Sequence, residues 1–241
     1  GQVGETTYAV PVGALPFWEE RLTKFGITFK KAERFGETFL QFEDVHGLLL
    51  ELVEREEGAQ NQWTYEDVTP NVAIKGFGGA VLYSTNPEQT AKTLEHVMGL
   101  EKVGEEDGYV RFQCFGDIGN VIDLKQSPVP RGRMGVGTVH HIAWRAKDNE
   151  DHVDWQSYIM NQGYHVTEVK DRNYFNAIYF REYGEILFEV ATDPPGFMID
   201  ETYDTLGQSL KLPPQYEMYR EQLELRLIPI KVKAEGEIEN E

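Results

Sequence analysis

The feature that most constrains this chain is a pattern written three times. Each copy opens with a strand-like run, passes into a helix-like segment that stops at glycine, and closes with three strand-like runs. In the first copy, a strand over 5–10 leads to Pro16, Phe17 and Trp18, and Leu22 and Phe25 follow at helical spacing before Gly26. In the second, a strand over 80–84 leads to Asn86 and Pro87, an N-cap and a first-turn proline, and Ala91, Leu94 and Val97 precede Gly99. In the third, a strand over 139–145 leads to Asp148 or Asn149 as cap, then to Val153, Tyr158, Ile159 and Gly163. Glycine at each stop supplies the left-handed conformation that ends a helix.

The closing runs are Leu48-Leu49-Leu50-Glu51, Asn120-Val121-Ile122-Asp123 and Ile186-Leu187-Phe188-Glu189. From the stop glycine to the acid the separations are 25, 24 and 26 residues. A repeat of this kind fixes the fold before any single motif does. The expected class is α+β, built of tandem βαβββ modules that form curved mixed sheets with concave faces. The modules cover 1–57, 75–127 and 137–197. The stretches 58–74 and 128–136, rich in Gly, Asn, Pro and charge, are linkers. The segment 198–241 is an acidic tail, and its residues 216–227 are predicted to form a helix along the sheet edge.

Strand parity then places side chains. In the third module Ile142 and Trp144 share one face of the first strand, while His141, Ala143 and Arg145 share the other. In its last strand Ile186, Phe188 and Val190 oppose Leu187 and Glu189. The bulky sets want the helix over them, which leaves His141 and Glu189 on the concave face. An imidazole and a carboxylate so placed are half of a metal site. By spacing alone, a pair of structural residues is an equal reading. His140 has the parity of Ile142 and Trp144, so it is expected near the helix face. His46, His96, His152 and His165 lack a carboxylate at ligand spacing and are expected to be surface or packing residues.

Composition narrows the partners. The 241 residues carry 23 Lys+Arg and 41 Asp+Glu, a net charge of −18, which argues against a nucleic-acid backbone as ligand. One cysteine, Cys114, excludes a disulfide within the chain and a thiolate zinc cluster. No apolar run reaches the length of a membrane span. A cytoplasmic protein without membrane partners is expected.

At this point the residues resemble a known family. His141 opening a βαβββ unit and Glu189 closing it are similar to the vicinal oxygen chelate superfamily of glyoxalases, bleomycin-resistance proteins and extradiol dioxygenases. The segments Val139-His140-His141-Ile142-Ala143-Trp144, Asp171-Arg172-Asn173-Tyr174-Phe175 and Ile178-Tyr179-Phe180-Arg181-Glu182 resemble the bacillus-type, hydroquinone-responsive ring-cleaving dioxygenases. So do the run from Phe188 through Phe197 and the tail segment from Leu210 to Glu217. The resemblance implies Fe(II), with Mn, Zn or Ni as alternatives, held by His141 and Glu189. It also implies Tyr179, ten residues before Glu189, as a catalytic hydrogen-bonding group, and an aromatic diol and O₂ as substrates. Where related enzymes carry an acid–base histidine, this chain has Lys170, Asp171 and Arg172, and Arg172 is expected to bind substrate rather than move protons. The turn Tyr183-Gly184-Glu185 replaces a proline-bearing one.

Members of that group carry four modules, with the second histidine ligand in the first strand of the first. This chain shows three, and the positions equivalent to His141 fall near Thr6 and Gly79. A further module before Gly1 is therefore expected to supply the third ligand, and the first module is expected to lack its partner. A homodimer is the other way to complete an odd number of units. Two other functions share the scaffold: a metal-dependent isomerase or thiol transferase of the glyoxalase or fosfomycin-resistance type, and a ligand-sequestering protein of the bleomycin-resistance type.

Overall fold

The computed structural model describes residues 1–229. All three modules are present. The first consists of β1 (Gln2–Val10), α1 (Leu15–Lys24), β2 (Phe29–Arg34), β3 (Glu37–Glu43) and β4 (Leu49–Glu54). The second consists of β5 (Gly76–Tyr83), α2 (Pro87–Lys92, continued by a π-helical turn over Thr93–Val97), β6 (Glu101–Glu106), β7 (Tyr109–Gln113) and β8 (Val121–Lys125). The third consists of β9 (Ile142–Ala146), α3 (Asn149–Asn161), β10 (Lys170–Asp171), β11 (Phe175–Arg181) and β12 (Leu187–Pro195).

Local chemistry sets the punctuation. The Asn86 side chain accepts from Gln89 N (3.4 Å) and that of Asp148 from Asp151 N (3.0 Å), capping α2 and α3. Gly26, Gly99 and Gly163 all take positive φ after their helices. In every module the first strand pairs in parallel with the last: β1 with β4, β5 with β8, β9 with β12. The chain between the two runs through the helix, which packs on one face of the sheet.

The modules do not pair as expected. β1 and β5 run antiparallel side by side, fusing the first two modules into one eight-stranded sheet ordered β2-β3-β4-β1-β5-β8-β7-β6. The first module therefore has its partner within this chain. The connector after β4 folds back along β1, with Lys75 N donating to Ala9 O (2.8 Å), and so delivers β5 to the free edge of β1. It is the third module that stands alone, as a four-stranded sheet ordered β10-β11-β12-β9 with β9 at its edge.

Two cores hold the molecule. Leu15 and Leu22 of α1 cover Val10, Leu40 and Leu52. A larger cluster joins the helix sides of the second and third modules, with Leu94, Phe112, Ile122 and Leu124 from one and Ile159, Ile178, Phe180 and Phe188 from the other. Their junction is tied by Thr90 Oγ1 donating to Glu182 Oε2 (2.8 Å) and by the Thr93 and Tyr164 hydroxyls 2.7 Å apart. Gly184 lies so close that an added Cβ would stand 1.9 Å from Ser84 Oγ and 2.2 Å from Thr90 Oγ1, so the turn Tyr183-Gly184-Glu185 serves this junction.

The tail differs from expectation. In place of one helix over 216–227, it forms a 3₁₀ segment, Pro214–Tyr219, followed by a short α4 (Arg220–Glu224), largely exposed. Pro213, Pro214 and the scarcity of a continuous apolar face leave nothing to anchor a longer helix. Among the described residues no helix is long and apolar enough to cross a membrane.

Phe188 is fully buried between the rings of Trp144 and Phe180. Phe188→Ala is expected to lower unfolding stability by about 3–5 kcal/mol in urea titrations. A loss below about 1 kcal/mol would contradict this account of the shared core.

Candidate functional site

The concave face of the third module assembles the site from three adjacent strands. Register pairs Glu189 of β12 with Ala143 of β9 on one side and with Tyr179 of β11 on the other. Helix α3 covers the opposite face, where His152 is buried and its Nε2 lies 2.9 Å from Val190 O. It is a packing residue, as expected.

His141 lies one residue before β9, whose ladder begins at Ile142 rather than at Val139. Its Nε2 meets Glu189 Oε2 in a short contact. The Glu189 side chain is 3% exposed, yet its other oxygen, Oε1, is buried without a hydrogen-bond partner. A buried carboxylate oxygen left unpaired is costly unless a proton or a cation completes it. Burial lowers the His141 pKa below its ordinary value, with His140 and Arg172 adding to the effect and Glu189 opposing it. The imidazole is thus held neutral, the form in which a ring nitrogen donates to a metal.

Tyr179 stands edge-on to His141, ring centroids 5.8 Å apart. Its amide donates to Thr167 Oγ1 (3.0 Å), which fixes the strand beneath it. Arg172 Nη2 donates to the Tyr179 hydroxyl (3.3 Å), and its guanidinium lies 5.4 Å from the ring centre. Burial raises the Tyr179 pKa, against the pull of Arg172, so the phenol keeps its proton. The structure therefore brings all four sequence-derived residues, His141, Arg172, Tyr179 and Glu189, to one open face.

His140 departs from its expected place. It is exposed instead of packed toward the helix, and its Nδ1 lies 2.8 Å from His141 Nδ1. Strand parity could not place it, because both histidines precede the ladder. The contact occupies Nδ1 of His141 and leaves Nε2 turned to Glu189. A polar cavity of about 100 Å³ opens beside the pair, lined by Arg131, Arg133, Arg181 and Leu187 among others.

The eight-stranded sheet has a concave face too, and it is filled. Glu51 and Asp123, the acids closing the first two modules, are buried in a network with Arg34, Arg55 and Arg111. The cavity among them, about 10 Å³, has room for roughly one water. Register also corrects the position equivalent to His141 in the first module. It is Glu5, not Thr6, because β1 pairs Thr7 with Glu51 as β9 pairs Ala143 with Glu189, and Glu5 stands two residues before Thr7 as His141 stands two before Ala143. The equivalent in the second module is Gly79, where an added Cβ would lie 2.2 Å from Val121 O, so no side chain fits. Among the described residues no group of three or more His, Cys, Asp or Glu is arranged to hold a metal. The third module contributes two such donors.

Curved mixed sheets built of βαβββ modules, with helices on one face and concave faces opposite, define a glyoxalase-like class of fold. Residues 76–200 match the glyoxalase/bleomycin resistance protein/dioxygenase superfamily, and the chain belongs to it. It is 63% identical over 233 residues to a Bacillus subtilis protein bearing the name ring-cleaving dioxygenase MhqO, covering 97% of this chain and 75% of that one. It is 31% identical over 232 residues to the chlorohydroquinone/hydroquinone 1,2-dioxygenase of Sphingobium indicum, covering 92% of this chain and 72% of that one. A crystal structure of a protein named as a dioxygenase from Bacillus subtilis superposes with a TM-score of 0.94 at 63% identity, over 96% of this chain and 75% of that one.

One titration is expected within the filled sheet. Burial and a hydrogen bond with Glu5 push the Glu51 carboxyl up to about 7, against the pull of Arg34. The folded protein thus holds this proton more tightly than the unfolded chain, whose glutamate titrates near the ordinary 4.5. Stability from this group is fully present below that value and is lost as pH rises through about 7. Glu51→Gln, which mimics the protonated acid, is expected to flatten the fall in Tm between pH 5 and 8. Parallel Tm profiles for the two proteins would refute it.

Proposed function

We propose that this chain is part of a ring-cleaving dioxygenase that uses Fe(II) and O₂ on a hydroquinone- or catechol-like ring. The observation that carries the reading is the His141–Glu189 pair, one carboxylate oxygen of which is buried and unpartnered on a face flanked by Tyr179 and Arg172. The names borne by the relatives support the same chemistry. His141 Nε2 and the Glu189 carboxylate would be two ligands of a two-histidine, one-carboxylate set. A third ligand would have to come from elsewhere, and β9, the edge strand of its sheet among the described residues, is where a further βαβββ unit could dock as β5 docks on β1.

When bound, Fe(II) supplies a Lewis acid on which the ring oxygen and O₂ meet, making their reaction effectively intramolecular. The chain's own residues prepare the substrate. Tyr179, kept protonated by burial, donates its hydroxyl proton in a hydrogen bond to a ring oxygen. Arg172, always charged, holds that hydroxyl in place and favours an ionised ring oxygen beside it. Ala143, small and exposed next to Glu189, leaves room for a planar ring. A cytoplasmic setting suits the free Cys114.

Anaerobic reconstitution with Fe(II), followed by metal analysis and O₂ uptake on hydroquinone and catechol, tests the reading. Iron binding with O₂ uptake is expected, and both are lost in His141→Ala and Glu189→Gln. Tyr179→Phe is expected to keep its iron and lower kcat by about 10- to 100-fold, the effect of losing one hydrogen bond to an ionised oxygen. Stoichiometric zinc or nickel without O₂ uptake would refute the dioxygenase.

A further inference from the structure

A basic cavity adjoins the site on the same face of the third module. Along β11, Arg181 shares a face with Tyr179 two residues earlier, and along β12 Leu187 shares one with Glu189. Register sets Arg181 opposite Leu187 as it sets Tyr179 opposite Glu189. The cavity of about 100 Å³ that Arg181 and Leu187 line therefore sits one step along the strands from the site, about 7 Å away. His141 belongs to both, since it lines the cavity and meets Glu189. Arg131 and Arg133, from the connector before β9, add two more cations to the lining.

The charge of this lining is opposite to that of the chain. Three guanidiniums stand with one carboxylate, Glu185, in a protein whose net charge is −18. Among the described residues only Arg131 of the three has an ion pair, its Nε 3.0 Å from Glu185 Oε2. Arg181 Nη1 donates to the backbone carbonyl of Glu185 (2.9 Å), which leaves the Nε and Nη2 edge of its fork to a ligand. A cleft lined by one sign of charge draws in the other, and a guanidinium edge matches a planar anion with two parallel hydrogen bonds. We propose that this cavity binds an anionic substituent of the aromatic substrate, a carboxylate or sulfonate carried on the diol ring. Arg181 and Arg133 hold the anion, while the ring lies over Ala143 with one oxygen at Tyr179. The inference rests on the dioxygenase reading for the place of the ring, but not for the binding of the anion.

Calorimetric titration of the full chain under argon and without iron tests the anion, with 2,5-dihydroxybenzoate and hydroquinone as paired probes. The carboxylated ring is expected to bind about tenfold more tightly, or better. Arg181→Gln and Arg133→Gln should each weaken it by about 5- to 10-fold, and the double variant should bind the two rings alike. Arg145→Gln removes a cation paired with Asp193 outside the cavity, and should leave the preference unchanged. Equal affinities for the two rings, or a preference that survives in the double variant, would overturn the inference. Inorganic phosphate bound through Arg133 and Arg181 by a chain indifferent to the ring carboxylate would overturn it too, in favour of a free-anion site. O₂ uptake with Fe(II) separates this inference from the one beneath it. Uptake on both rings at the same KM keeps the dioxygenase and sinks the anion subsite. No uptake on either ring, with Arg181-dependent binding of the acid, does the reverse.

Discussion

Parallel pairing of the first and last strands within each module is the constraint on which the rest of the molecule depends. With the helix over one face, strand alternation sends the closing acid to the other. Glu51, Asp123 and Glu189 are therefore all buried on concave faces, each opposite a first-strand residue. A carboxylate in such a place must find a proton, a protein cation or a metal, because desolvation without a partner is prohibitive.

The three acids meet different partners, and that difference separates framework from site. Asp123 receives both Arg34 and Arg111, and Glu51 receives Arg34 and Thr7. These ion pairs and hydrogen bonds, linking strands from both modules, fill the concave face of the eight-stranded sheet. Glu189 meets the partly exposed, neutral-leaning imidazole of His141, with no cationic side chain paired to it, and its Oε1 has no hydrogen-bond partner among the described residues. The same strand position is thus closed in one half of the molecule and open in the other, and the open copy is flanked by Tyr179 and Arg172.

Much of this was legible in the sequence, for identifiable reasons. Cap residues Asn86 and Asp148, the stop glycines and the closing acids act locally, so their spacing revealed three modules. His141 and Glu189 followed from parity within short strands. Pairing between modules was not legible, because the β1–β5 contact depends on how the connector over 58–74 folds back, and nothing local encodes that path. The expected Thr6 proved to be Glu5 because the exact β1–β4 register, Thr7 opposite Glu51, depends on pairing between strands some forty residues apart. Arg34 escaped notice because β2 otherwise carries exposed Lys30, Lys31 and Glu33, and a lone arginine among them reads as surface. Its burial depends on partners 17 and 89 residues away in sequence.

The proposed function places iron in the third module, beside His141 and Glu189, whereas in the eight-stranded sheet Arg34 pairs with Glu51 and Asp123. An anomalous-difference map at the iron edge, from crystals loaded anaerobically with Fe(II), tests it most directly. The account predicts one peak per chain, between His141 Nε2 and the Glu189 carboxylate. A peak among Glu5, Glu51 and Asp123, or no peak beside His141 in crystals that carry bound iron elsewhere, would contradict it.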